Sequence, residues 1–294
     1  MAQMSLLERA LLFYGTQLPN HPRKWWLHPR LRKWTGVAID RDVDGVRHGL
    51  RWSLNPADYG HSSLFWLGTK DTWDIHQLQG CVRPDDVILD VGANFGYYSV
   101  TLAAGLDRRC RIHALEPNPT NFDRLCRHVA LNGLEDVVRA HRLGVSDRPE
   151  TVNMAEPAGN TGHAAVVREG EIKEVSLTTL DSFCESLALD RLDVLILDVE
   201  GYEERALKGA AGTLGRFKPL VVVEFFPPVM NRQGSNPEAA ARILTGLGYQ
   251  LFAARRDRLE PLTTMPTADH GVNAFGFHPE NPRFSPRAGG SSSE

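Results

Sequence analysis

The sequence predicts an α/β protein built on a mostly parallel, doubly wound sheet, and three observations carry that prediction. Short apolar runs recur at Val87–Leu89, Ile112–Leu115, Asp193–Leu197 and Pro219–Val223, each the length of a buried strand. Helical spacing separates them, and strands alternating with helices make a parallel sheet. The first run passes through Asp90 into Gly92-Ala-Asn-Phe-Gly96, a strand running into a tight turn and then a helix N-terminus.

A chain of 294 residues, 42% hydrophobic and 23% charged, accommodates one large α/β domain with extensions. No apolar run approaches the roughly 20 residues of a membrane span. The first residues lack a basic stretch followed by a clean apolar core, so no secretion signal is expected. Cys81, Cys110, Cys126 and Cys184 show no Cys-x-x-Cys spacing. Reduced, mostly buried thiols and a cytoplasmic setting are expected, with neither a metal cluster nor a disulfide framework. Net charge is −3, unevenly spread: residues 1–36 carry six Lys/Arg against Glu8 alone, a balance of +5 that leaves −8 for the rest. An acidic main body argues against a nucleic acid as partner.

In chain order, residues 5–15 read as an amphipathic helix with Ser5 and Glu8 as a capping box. Residues 22–34 are basic and aromatic together. They suit peripheral contact with an anionic membrane surface, or a packed helix with a solvated basic face. Val37–Asp40 and Val46–Leu54 are expected to pair as a hairpin around Asp44-Gly45. Residues 55–83 mix polar and aromatic side chains, and all six tryptophans fall between 25 and 73. Such rings stack on sugars or pack a subdomain. Residues 1–83 are therefore treated as an N-terminal extension, 84–280 as the main domain and 281–294 as a disordered tail.

Within the main domain, Asp90 suits a ligand with a cationic amine, such as the amino-acid end of S-adenosylmethionine, better than a phosphate. Glu116 ends the second strand about 20 residues after the glycine turn, where an acid accepts hydrogen bonds from ribose hydroxyls. Gly92, Asn94 and Gly96 complete a nucleoside-binding turn. The dinucleotide alternative requires Gly-x-Gly-x-x-Gly, whereas the spacing here is Gly-x-x-x-Gly. A helix over 119–131 stops at Asn132-Gly133, and a third strand is expected over 137–145. Ser146 and Asp147 follow it as candidates for the adenine edge. His163, in a loop between two strands, is a candidate general base. A helix begins near Thr179 or Asp181. The strand from Asp193 runs into Asp198-Val-Glu-Gly201 and is expected beside the first strand, with Asp198 and Glu200 facing the same cleft. Carboxylates there hold a donor amine, act as a base or bind a divalent cation. Glu203 and Glu204 read as helix N-terminal charges, and that helix is expected to loosen at Gly212 or Gly215. A fifth strand ends at Glu224, a helix spans 237–247, and 249–254 with 272–277 form a closing pair of strands.

These residues resemble the FkbM family of S-adenosylmethionine-dependent methyltransferases. The marks are Asp90-Val-Gly-Ala-Asn-Phe-Gly-Tyr-Tyr-Ser99, Glu116-Pro-Asn-Pro119, Leu131-Asn-Gly133, Thr179-Leu-Asp181, Asp198-Val-Glu-Gly201 with Gly209-Ala210, and Glu224. The resemblance covers about Gly45 to Glu224 and, more loosely, reaches Phe277. It implies a Rossmann-like methyltransferase sheet whose last strand is antiparallel, and O-methylation of a sugar, glycan or secondary-metabolite hydroxyl. The chain departs from the family at Ile196, often lysine, at Trp73-Asp74, often Tyr-Glu, and at His128, often asparagine. The sulfonium methyl is already activated, so such an enzyme mainly aligns the acceptor oxygen and assists its deprotonation. Asp198 is the first candidate for that role, then Glu224, then His163. The competing readings are N-methylation of a protein or RNA, a non-catalytic cofactor-binding module, and a nicotinamide-dependent oxidoreductase.

Overall fold

The computed structural model describes residues 4–18, 23–70, 72–155, 165–166, 173–255, 258–267 and 271–286, with the side chains of 25, 72, 73, 155, 165 and 166 outside the description. The chain divides into two compact units, one built on residues 1–72 and the other beginning at Trp73.

In the first unit, α1 (Leu6–Thr16) starts with the expected capping box. The Ser5 hydroxyl accepts from Glu8 N at 3.2 Å, and the Glu8 carboxylate accepts from Ser5 N at 2.6 Å. Next come α2 (Lys24–Thr35), the hairpin β1 (Val43–Arg47) and β2 (Leu50–Leu54), and α3 (Tyr59–Leu67). Gly15 is the contact point of α1 with α3, because a Cβ there would lie 1.7 Å from the Trp66 carbonyl oxygen. His28 of α2 is buried, bonds the Leu11 carbonyl through Nε2 at 3.2 Å and stacks on Tyr14. Trp52 and Trp66 are fully buried, so these two rings pack the unit and offer no face to a sugar.

The hairpin corrects the expected register. Asp44-Gly45 lies inside β1, and the turn is His48-Gly49, with φ of 52° and 78°. A two-residue turn matched to strand twist needs two successive left-handed residues, which His48-Gly49 supplies.

The second unit runs α4 (Thr72–Cys81), β3 (Asp86–Val91), α5 (Tyr97–Gly105), β4 (Cys110–Leu115), α6 (Pro119–Leu131), β5 (Val138–His141), β6 (Gly144–Val145), β7 (Glu150–Ala155), β8 (Ala165–Val166), β9 (Lys173–Thr178) and α7 (Leu180–Ser186). It continues with β10 (Val194–Leu197), α8 (Glu203–Lys208), α9 (Ala211–Phe217), β11 (Leu220–Phe225), α10 (Pro227–Arg232), α11 (Pro237–Gly246), β12 (Gln250–Arg255), β13 (Arg258–Pro261) and β14 (Val272–Phe277). Eight strands form one sheet in the order β13-β12-β14-β11-β10-β3-β4-β5. β5, β4, β3, β10 and β11 are parallel, and β14 enters antiparallel between β11 and β12. This is the Rossmann-like methyltransferase sheet with its reversed closing strand. The chain builds outward from β3 to β5, then returns to place β10 on the other side of β3. The carboxyl ends of β3 and β10 therefore flank the topological switch point, where ligands of such sheets bind. All six residues of β3 are buried, as a central parallel strand covered on both faces requires.

Four expectations are corrected here. The third strand is two elements: β5 belongs to the large sheet, while β6 joins a small sheet of order β6-β9-β7-β8. The helix after Glu203 breaks at Gly209-Ala210, not at Gly212 or Gly215, which both lie inside α9. A Cβ on Gly209 would stand 2.2 Å from the Ser146 carbonyl oxygen, so chain packing sets the break. The tail is fixed through residue 286: Phe284 is buried, and Arg283 pairs with both Asp86 and Asp193 at the amino ends of β3 and β10. All four cysteines are free, but only Cys184 is buried and the others are partly exposed. No helix among the described residues is long and apolar enough to cross a membrane.

Candidate active site

The turn after β3 is anchored by its backbone. Gly92 N and Ala93 N donate to the Leu115 carbonyl at 2.9 and 3.0 Å. Gly92 has φ of +82°, and a Cβ there would meet the Asp198 carbonyl oxygen at 1.7 Å. Only glycine lets the two strand-end loops touch. Asn94 is left-handed at φ of 52°, and its N–H donates to Glu116 Oε2 at 2.8 Å. His128, buried on α6, bonds the Phe95 carbonyl through Nδ1 at 2.7 Å, so the ring braces this turn.

Asp90 faces α5. Its Oδ2 accepts from Ser99 N at 3.0 Å and from the Ser99 hydroxyl, satisfying an N–H that the first turn of a helix leaves open. Burial pushes its pKa up to about 6 against the lowering effect of the Ser99 bonds. Glu116 is 5% exposed and holds two loops at once, its second oxygen accepting from Asn118 N at 2.8 Å. Burial, and more weakly the charges of Asp198 and Asp90, raise its pKa to about 8 although both backbone bonds oppose this. Asn118 caps α6 through Oδ1, while its Nδ2 is buried without a partner, as is Oδ1 of Asn94.

At the neighbouring strand end, Asp198 N donates to the Val91 carbonyl at 3.0 Å, extending the β3–β10 pairing. The chain then turns through left-handed Glu200 and Gly201. Glu203 is 1% exposed and accepts from Val199 N and Gly201 N at 3.2 and 3.1 Å through Oε1, while its Oε2 is buried without a partner. Burial raises its pKa to about 7, with Asp198 adding to the shift. Glu203 therefore stabilises the loop from inside rather than serving only as a helix-terminal charge; Glu204 instead pairs with Lys208 at 2.7 Å. Glu224, at the end of β11, shares a hydrogen bond with Asp198, and its pKa is raised well above the carboxylate range by burial and then by Asp198, Glu200 and Glu203. A bond between two carboxyl groups requires a proton on one of them. Across the ladder Glu224 faces Asn273, whose Nδ2 donates to Asp74 of α4 at 3.0 Å.

The fold thus gathers Asp90, Gly92, Asn94, Gly96, Glu116, Asp198 and Glu224 around the switch point. Ser146 and Asp147 leave from the small sheet instead. Ser146 is buried with its hydroxyl donating to Glu150 at 2.7 Å, and Asp147 is exposed. His163 lies outside the described residues. Among the described residues, no group of three or more His, Cys, Asp or Glu is disposed to hold a metal ion. Sequence reading missed Asn118 and Asn273. Asn118 carried a local signal, the Asn-Pro pair of a capped helix start. Asn273 carried none, because its partner lies 199 residues away.

A parallel sheet with this strand order, a glycine turn at its switch point and an acid ending each flanking strand defines the Rossmann-like, S-adenosylmethionine-dependent methyltransferases. The sequence profile of the methyltransferase FkbM domain matches residues 90–251, and the chain belongs to that family. It is 27% identical over 222 residues to the hexuronic acid methyltransferase AglP of Haloferax volcanii, covering 71% of this chain and 87% of that protein. It is 26% identical to the 2-O-methyltransferase NoeI of Sinorhizobium fredii, covering 45% of this chain and 60% of the other. A solved FkbM methyltransferase from Methylobacillus flagellatus superposes with a TM-score of 0.46 at 18% identity, covering 67% of this chain and 44% of that one.

Proposed function

We propose that this enzyme transfers the methyl group of S-adenosylmethionine to a hydroxyl of a sugar, glycan or secondary metabolite. The carrying observation is a set of acids at adjoining strand ends, Asp90, Glu116 and Glu203 buried and Glu224 partly so, which have no cationic partner among the described residues. Such a set calls for a cation from outside, and S-adenosylmethionine brings an ammonium and a sulfonium. The unpartnered amide atoms of Asn94 and Asn118 beside it suit a ligand rich in hydrogen-bonding groups. An oxygen acceptor is supported by similarity to relatives named for hexuronic acid methylation and 2-O-methylation.

In this reading Asp90, with the Gly92–Gly96 turn and Asn94, orients the methionine portion. Glu116 takes the ribose hydroxyls on its remaining lone pairs. The bound cofactor supplies an already activated methyl group. Asp198, ionised beside Glu224, accepts the acceptor's proton, Glu224 keeps the proton of their mutual hydrogen bond, and Glu203 keeps the Asp198–Gly201 loop in place. His163 is the remaining candidate base. The methyltransferase domain spans 84–280, the reaction is cytoplasmic, and the acidic body keeps nucleic acids out of the acceptor role.

Asp198→Asn tests this assignment, because it retains size and hydrogen bonding but removes the charge. Turnover should fall roughly a hundredfold or more with melting temperature and cofactor affinity nearly unchanged. Measuring with and without magnesium separates a carboxylate base from a metal ligand. Near-normal turnover would move the role to Glu224 or His163. Methylated products missing from a deletion strain, read by mass spectrometry of glycans and secondary metabolites, would identify the acceptor.

A further inference from the structure

Every large apolar side chain that the described residues leave exposed lies between Leu6 and Tyr59, and none lies in the sheet-bearing unit. This confinement coincides with the +5 balance of residues 1–36. The sharpest case is α2. At about 100° per residue, Trp26, Arg30, Lys33 and Trp34 fall within an arc of about 100°. Trp26 is 55% and Trp34 82% exposed, and Arg30 and Lys33 are exposed with them. Lys24 and His28, on the opposite face, are buried. A helix that merely packs, with a solvated basic face, turns its tryptophans inward. This one turns a histidine inward and two tryptophans out. Arg30 lies over the Trp26 ring at 3.8 Å, so charge and aromatic surface are presented together. α2 carries no acidic residue.

We infer that this face of α2 is a docking surface for an anionic lipid bilayer. Indole rings favour the headgroup region, where their apolar body and N–H are both accommodated, and basic side chains between them meet lipid phosphates. The occupant follows from charge complementarity and from how the charge is distributed. A face of two indole rings and two basic side chains, on a helix without acids, matches an anionic surface with an apolar layer beneath it, whereas a nucleic acid offers its charge without that layer. The inference is independent of the methyl-transfer chemistry, and the same preparations report on both.

The test is flotation of the full-length protein with vesicles of phosphatidylcholine, with and without phosphatidylglycerol, at low and moderate salt. Trp26→Ala/Trp34→Ala and Arg30→Gln/Lys33→Gln are the variants, both on solvent-facing positions, with melting temperature and S-adenosylmethionine affinity measured alongside. The wild type should float only with phosphatidylglycerol, more weakly as salt rises. Each double variant should lower partitioning roughly tenfold or more while melting and cofactor affinity stay unchanged. No flotation, equal flotation with neutral vesicles, partitioning unaffected by either variant, or tighter binding to a duplex oligonucleotide than to the anionic vesicles would overturn it.

Discussion

At the scale of single residues, the protonation of buried acids governs how the site behaves. Glu116 ionises near 4.5 in an open chain and at about 8 in the fold, so the folded protein holds this proton more tightly. Its contribution to stability is whole below pH 4.5 and is lost as pH rises through about 8, because ionisation then strands a charge in a desolvated site. Thermal melts of the cofactor-free protein should therefore fall across that window, and Glu116→Gln should flatten the fall; an identical slope in the variant would contradict the assignment. Glu116→Ala should also weaken S-adenosylmethionine binding by about 1–3 kcal/mol, because hydroxyl partners lose their acceptor. That acids end the strands was legible from Asp90, Glu116, Asp198 and Glu224 in the sequence. Their coupling was not, because it arises only when β3, β4, β10 and β11 lie side by side.

Among elements, the contact between the loops after β3 and β10 matters most. Gly92→Ala would place a methyl carbon 1.7 Å from the Asp198 carbonyl at a left-handed φ. It should destabilise the fold by at least about 2–3 kcal/mol and abolish measurable cofactor binding, checked by chemical denaturation and calorimetry. Gly215→Ala, on α9 with nothing near its added carbon, should instead stabilise by about 0.4–1 kcal/mol. A destabilised Gly215→Ala beside an unaffected Gly92→Ala would invert this account. Strands and helices with strong periodicity, such as β3 and α6, were readable in advance. The turn of the hairpin and the split after β5 were not. His48 adopts a left-handed φ because the strand twist demands it, and a Cβ on Gly144 would press on the Leu177 and Pro117 side chains.

For the whole molecule, the two ends of the sheet have different tasks. The carboxyl ends carry the acids, while the amino ends are tied by Arg283 to Asp86 and Asp193, with Arg191 at 2.7 Å from Asp193. Asp86 is fully buried, so Arg283→Ala removes a cation from a charge that cannot rehydrate and should cost about 2–4 kcal/mol in urea unfolding, with Arg191 covering part of the loss. An unchanged midpoint would show that Arg191 suffices alone. Contacts spanning some 200 residues leave no local trace, which is why the sequence read this segment as a loose tail. The most direct test of the central claim is calorimetry of S-adenosylmethionine binding near neutral pH in buffers of differing ionisation enthalpy. A cation arriving among Glu116, Glu203 and Glu224, whose pKa values are all raised, must lower those values. Binding should therefore release protons, and Glu116→Gln should release fewer. Binding without proton release, or binding of a nicotinamide dinucleotide as tight as that of S-adenosylmethionine, would contradict the account.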